Sequence, residues 1–229
     1  MLRSWRFGCL AFLVAAMILG GTARGAVIAQ YSFTGNTLSA TTVAPNATAG
    51  SVTGSPNVNN QPTSALTFAT GVGYATQPTL AAARANTNES GTRSDVYFTF
   101  TVSADAGNEL DLSSLTFNVA QGGGTAGTRD YEIRSSLDGF ATSLTGIVPI
   151  PTVRPTFTPV TLDLSGAQFQ NLTSPLTLQV RYFTPGVLQN VDFDDIVLNG
   201  TVAVVPEPNA LAVLVTAGGW MLRRRRREV

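Results

Sequence analysis

The stretch Asp95-Val-Tyr-Phe-Thr-Phe-Thr-Val102 alternates strictly, with Val96, Phe98, Phe100 and Val102 on one face of an extended chain and Tyr97, Thr99 and Thr101 on the other. Successive side chains of a strand point to opposite faces, so this pattern predicts a β-strand with one face in a core and the other in water. The same period recurs at Leu115/Phe117/Val119, Tyr131/Ile133, Val160/Leu162/Leu164 and Leu176/Leu178/Val180/Tyr182. Val27 to Phe33 and Val191 to Leu198 read as an opening and a closing strand. Helical periodicity is confined to Thr79 to Ala85 and Ser165 to Phe169, each long enough for a turn or two. Thr34 to Gln61 and Val148 to Pro159 read as long loops, rich in Pro, Thr, Asn and Ser. The Gly122-Gly-Gly124 run with Gly127 reads as a flexible connection between strands, because no Gly-Lys-Ser/Thr and no helix follow it as a phosphate loop requires.

Many short antiparallel strands with one polar face each would leave an open sheet with a wet apolar side. The expected fold is therefore all-β, an antiparallel two-sheet β-sandwich, with a jelly roll as the first choice of topology. Asp111-Leu-Ser113 recurs as Asp163-Leu-Ser165, and both are expected to bond local backbone at strand exits.

Composition supports a neutral exported β protein. Of 229 residues, 44% are hydrophobic and only 12% charged, which excludes disorder driven by charge. The formal charge of zero conceals an uneven distribution: between Val27 and Val205 there are 6 Arg against 12 Asp plus Glu, a net of −6. Such a surface excludes nucleic acid as a partner, because phosphate binding needs clustered Lys or Arg. The chain has no His and no Lys, and its one cysteine, Cys9, lies in the N-terminal apolar run. Ser-His-Asp triads, Cys-His pairs, Schiff bases and the usual zinc sites are thereby excluded, leaving two-carboxylate chemistry of the glycosidase kind on Glu89, Glu109 or Glu132 with an Asp. None of these lies in a recognisable motif, so a glycan-active enzyme is the third-ranked reading and no catalytic residue is assigned.

The two ends read as addresses. Residues 1–26 have the parts of a secretory signal peptide: Arg3 and Arg6, an apolar run from Cys9 to Leu19, then small residues up to Gly25 and Ala26, where cleavage is expected. Residues 204–229 hold Pro206-Glu207-Pro208, an apolar segment from Ala210 to Leu222, and the run Arg223, Arg224, Arg225, Arg226 and Arg227. The prolines end the ladder, and the arginines hold the C-terminus on the cytoplasmic side of a membrane helix. Residues 27–203 are the cargo between them.

This tail resembles the PEP-CTERM sorting signal of bacteria that make extracellular polysaccharide. The resemblance implies recognition of Pro206, Glu207 and Pro208 by an exosortase, a membrane cysteine protease. It also implies removal of the leader by signal peptidase, transient insertion of the C-terminal helix in the inner membrane, and delivery to the cell surface or extracellular matrix, in contact with polysaccharide. Asn108 to Leu115, Arg134 to Phe140 and Phe193 to Gly200 look like segments of PEP-CTERM surface proteins and of galactose-binding-like jelly rolls. That second resemblance implies a structural Ca²⁺ held by Asp192 and Asp195 with the Gln30 side chain. Against it stands the plain alternative that Asp192, Asp194 and Asp195 are solvated or bonded to nearby amides. The preferred function is a non-catalytic surface or biofilm-matrix protein without a cofactor, and the second is a calcium-assisted carbohydrate-binding module whose sugar-contacting residues are unassigned.

Overall fold

The computed structural model describes residues 25–55, 64–70, 78–84, 96–123, 127–184 and 189–205. Residues 1–24 and 206–229, with Pro206, Glu207, Pro208 and the arginines Arg223 to Arg227, lie outside the described residues, as does Glu89. Among the described residues no helix is long and apolar enough to cross a membrane.

Thirteen strands are described: β1 (Ala26–Tyr31), β2 (Thr42–Val43), β3 (Ala47–Ala49), β4 (Thr53–Gly54), β5 (Ser64–Ala69), β6 (Thr79–Arg84), β7 (Tyr97–Ala104), β8 (Asn108–Gly123), β9 (Asp130–Ser135), β10 (Val148–Pro149), β11 (Thr158–Asp163), β12 (Leu176–Phe183) and β13 (Gln189–Val204). They form two antiparallel sheets facing one another. The first runs β11-β8-β13-β1-β2, with β6 and then β5 attached to the other half of β13, and the second runs β10-β9-β12-β7-β3 with β4 also on β7. The expected two-sheet sandwich is what the chain adopts.

The inner faces are the apolar positions read from the alternation. Val96, Phe98, Phe100 and Val102 are all buried, as are Leu115, Phe117, Val119, Leu178, Val180 and Tyr182. At the centre, Phe193 packs edge-on against Phe98 at 5.1 Å between ring centroids and also meets Phe117 and Tyr182. Edge-on aromatic pairs add to the gain from burial, so this cluster pins the two sheets face to face. The long strands β8 and β13 form the spine, paired from Gly123↔Gln189 to Asn108↔Val204.

Four expectations need correction. Of the expected helical turn Thr79 to Ala85, the described part Thr79–Arg84 is a strand, β6, hydrogen-bonded between β5 and β13. Leu80 and Ala82 enter the core at period two, and two ladders outweigh the weak helical bias of an Ala-rich segment. The loop 34–61 carries three short strands, β2 to β4, that close the sheet edges. Asp111-Leu-Ser113 lies inside β8 and not at an exit, and Asp111 Oδ1 accepts from the distant Asn171 N–H at 2.7 Å. Asp163 does turn the chain locally, accepting from Ser165 N–H at 2.8 Å. Gly122 and Gly123 belong to β8, and a Cβ on Gly122 would run into the Asp192 carboxylate and the Asn190 amide. The glycine is there for a close approach.

Candidate functional site

Outward-facing residues of the seven-stranded sheet fall into cross-strand rows. Thr161, Thr116, Val197 and Gln30 are in register across β11, β8, β13 and β1, and Pro159, Asn118 and Asp194 form the next row. Between the rows β13 carries an irregularity, where Asp195 takes a left-handed φ of 46°. Asp tolerates that region better than most side chains do, and the extra residue turns its carboxylate out between the rows. The result is an open depression of about 300 Å³ lined by Gln30, Thr116, Asn118, Thr161 and Asp195, with Pro159, Val160 and Val197 as its apolar patches.

Its electrostatics are one-sided. Asp194, only 6% exposed, accepts from the Asp195 N–H at 2.9 Å. Burial, reinforced by the charge of Asp195, pushes the Asp194 carboxyl up to about 6. Neither carboxylate has an ion pair among the described residues.

Asp192 sits further along the same outer face, fully buried, in register with Ala120 of β8 and Ala81 of β6. Those small residues, with Gly122, leave a trough through which Arg154 reaches across β8 to place Nη1 3.8 Å from Asp192 Oδ2. Asn190 Nδ2 donates to Asp192 Oδ1. Arg129, 1% exposed, donates to Gln121 Oε1 at 2.9 Å and adds positive charge to the corner. Burial nevertheless pushes Asp192 up to about 6 against the pull of Arg154, Asn190 and Arg129.

The outer face of the six-stranded sheet is built differently. Glu132 pairs with Arg134 at 3.2 Å and with Arg181 at 3.8 Å. Arg181 Nε also donates to Gln179 Oε1 at 2.7 Å, and Arg134 Nη1 donates to the carbonyls of Phe140 and Ala141. Every charge named on that face has a partner of opposite sign.

No protein-family model matches the chain, and no curated protein does. Among solved structures it is similar to a cleaved adhesin domain of Lys-gingipain from Porphyromonas gingivalis, with 16% identity over 76% of this chain and 98% of that one and a TM-score of 0.44. It is also similar to the xylan-binding CBM22-1 domain of Paenibacillus barcinonensis Xyn10C, with 11% identity over 77% and 96% and a TM-score of 0.43. A third is the carbohydrate-binding module TmCBM61 in complex with β-1,4-galactotriose, with 14% identity over 66% and 87% and a TM-score of 0.34. At such identities and TM-scores these likenesses assign no ligand to this chain.

Of the three residues expected to hold calcium, Gln30 and Asp195 line one depression and Asp192 lies outside it, with Arg154 as its counter-ion. Among the described residues no three His, Cys, Asp or Glu side chains cluster in a way that could hold a metal ion. Glu109 and Glu132 stand on different sheets, on β8 and β9. Thr116, Asn118 and Thr161 escape sequence reading, because only long-range register sets them beside Gln30 and Asp195.

Proposed function

We propose that the chain is an exported, non-catalytic, jelly-roll-like sandwich of the cell surface or extracellular polysaccharide matrix. A leader removed by signal peptidase delivers it, and an exosortase-type protease acting at Pro206-Glu207-Pro208 sorts it after the C-terminal segment has paused in the inner membrane. One observation carries this reading: the domain is entered and left at the same pole. Ala26, which opens β1, pairs with Gly200, and Val204, which closes β13, pairs with Asn108. A tail leaving there holds the sandwich base-first. At about 3.4 Å per residue, the 16-residue β13 sets the opposite pole roughly 50 Å away, where it can meet a polymer.

The non-catalytic reading rests on the missing His and Lys. It calls on no metal. Replacing Pro206, Glu207 and Pro208 together by alanine is expected to leave an unprocessed precursor in the inner-membrane fraction, seen as a larger band on an immunoblot. Unchanged processing and unchanged surface exposure to added protease would overturn the sorting assignment.

A further inference from the structure

We propose that the depression around Asp195 binds an ammonium-bearing sugar unit, a free amino sugar within a polysaccharide that is otherwise uncharged. The inference rests on the surface-and-matrix reading above and names the ligand class of its polymer-facing sheet.

The cavity is mixed in the way a sugar ring requires. Gln30, Thr116, Asn118 and Thr161 offer hydroxyl and amide groups that both donate and accept, while Pro159, Val160 and Val197 offer apolar surface for C–H faces. Its polar groups come from successive strands. At about 4.8 Å per strand, Thr161 and Gln30 lie on the order of 14 Å apart, too far to converge on one ion that needs six or more oxygens at about 2.4 Å. An extended row of this kind suits an extended oligosaccharide.

Charge selects among sugars. Asp195 lines the cavity and Asp194 stands in the adjoining row, and neither has a cationic partner among the described residues. The arginines with described partners are committed elsewhere, Arg134 and Arg181 to Glu132 and Arg154 to Asp192. A uronic acid placed here meets two like charges, whereas an ammonium group relieves their mutual repulsion and gains a charge-assisted hydrogen bond to Asp195. The domain's net charge of −6 draws a cationic polymer in from a distance.

The test is calorimetric titration of the full chain with four probes of matched length: glucosamine oligomers, their N-acetylated counterparts, oligogalacturonate and oligolysine. Glucosamine oligomers are expected to bind at least ten-fold more tightly than the other three, with affinity falling as salt is raised. Asp195→Asn should weaken that binding about ten-fold or more, and Gln30→Leu should weaken it less. Glu109→Gln, which removes a carboxylate from the same sheet, should leave it unchanged. Equal binding of acetylated and free amino sugars, equal binding of oligolysine, or indifference to both Asp195→Asn and Gln30→Leu in folded variants would each overturn the proposal. The surface reading would survive all three results, and would instead fall with the processing experiment, which leaves glycan affinity untouched.

Discussion

The two outer faces of this sandwich use the same side-chain types to opposite ends. On the six-stranded sheet Glu132 is held by Arg134 and Arg181, and Arg134 in turn clasps the carbonyls of Phe140 and Ala141. On the seven-stranded sheet Asp194 and Asp195 have no ion pair among the described residues, and the buried Asp192 meets Arg154 at 3.8 Å and accepts from Asn190. A face whose charges neutralise one another is a wall, structurally finished without help. A face that keeps buried carboxylates with their desolvation incompletely offset spends stability that a bound ligand can restore, which is the pattern expected where a protein meets a partner.

Acid should expose this difference most strongly. Asp192 and Asp194 are both pushed up to about 6, from the ordinary 3.8 of an aspartate, by burial. The native state therefore holds more protons than the unfolded chain between those values, and stability rises as pH falls through 6. Each carboxylate contributes on the order of 2–3 kcal/mol between pH 7 and pH 4, at about 1.4 kcal/mol per unit. Lower still, the trend reverses. Asp138 and Asp163 are depressed by hydrogen bonds, chiefly from Thr142 and Ser165, and what they add is lost as pH drops through their lowered range. Thermal unfolding followed by circular dichroism should show a maximum near pH 4–5, and Asp194→Asn should remove about half of the slope above it. A stability that falls steadily from pH 7 to pH 5 would show that these carboxylates are solvated and the contrast between faces false.

Glu132→Gln probes the closed face. It leaves Arg134 and Arg181 without their shared negative charge in a site where the Glu132 side chain is 7% exposed. Removing one member of a buried pair costs about 3–5 kcal/mol. Both guanidinium groups here reach solvent, so a loss of roughly 2 kcal/mol in urea denaturation is expected, the lower figure reflecting screening. A neutral result would mean that this network is ornamental and that the two faces differ only in composition.

Most of the architecture was legible because strand alternation is a local signal. Val96 to Val102 and Leu176 to Tyr182 announce both strand and buried face within eight residues. Where local signals mislead, long-range pairing is the cause: Thr79 to Ala85 looks helical until β5 and β13 supply ladders on both sides. Gly122 looks flexible until Asp192 is seen to need the space. The site was half legible. Resemblance brought Gln30 and Asp195 together, but it also enlisted Asp192, two residues before Asp194 in sequence and yet bound to a different corner by Arg154, which stands 38 positions earlier. No periodicity encodes that ion pair, nor the register that sets Thr161 beside Thr116.

Asp195→Asn is the smallest expected effect on stability and the sharpest on meaning. Its carboxylate has no ion pair and accepts no hydrogen bond recorded among the described residues, and its charge raises the cost of ionising Asp194. Removing that charge should therefore change unfolding free energy by less than about 0.5 kcal/mol, or raise it slightly near pH 7. Asn also accepts the left-handed backbone at φ 46°, so the bulge is retained. A side chain kept for folding would destabilise when altered, whereas one kept for a ligand leaves the apo domain indifferent or improved. A loss of 2 kcal/mol or more in this variant would assign Asp195 to the architecture and close the open face.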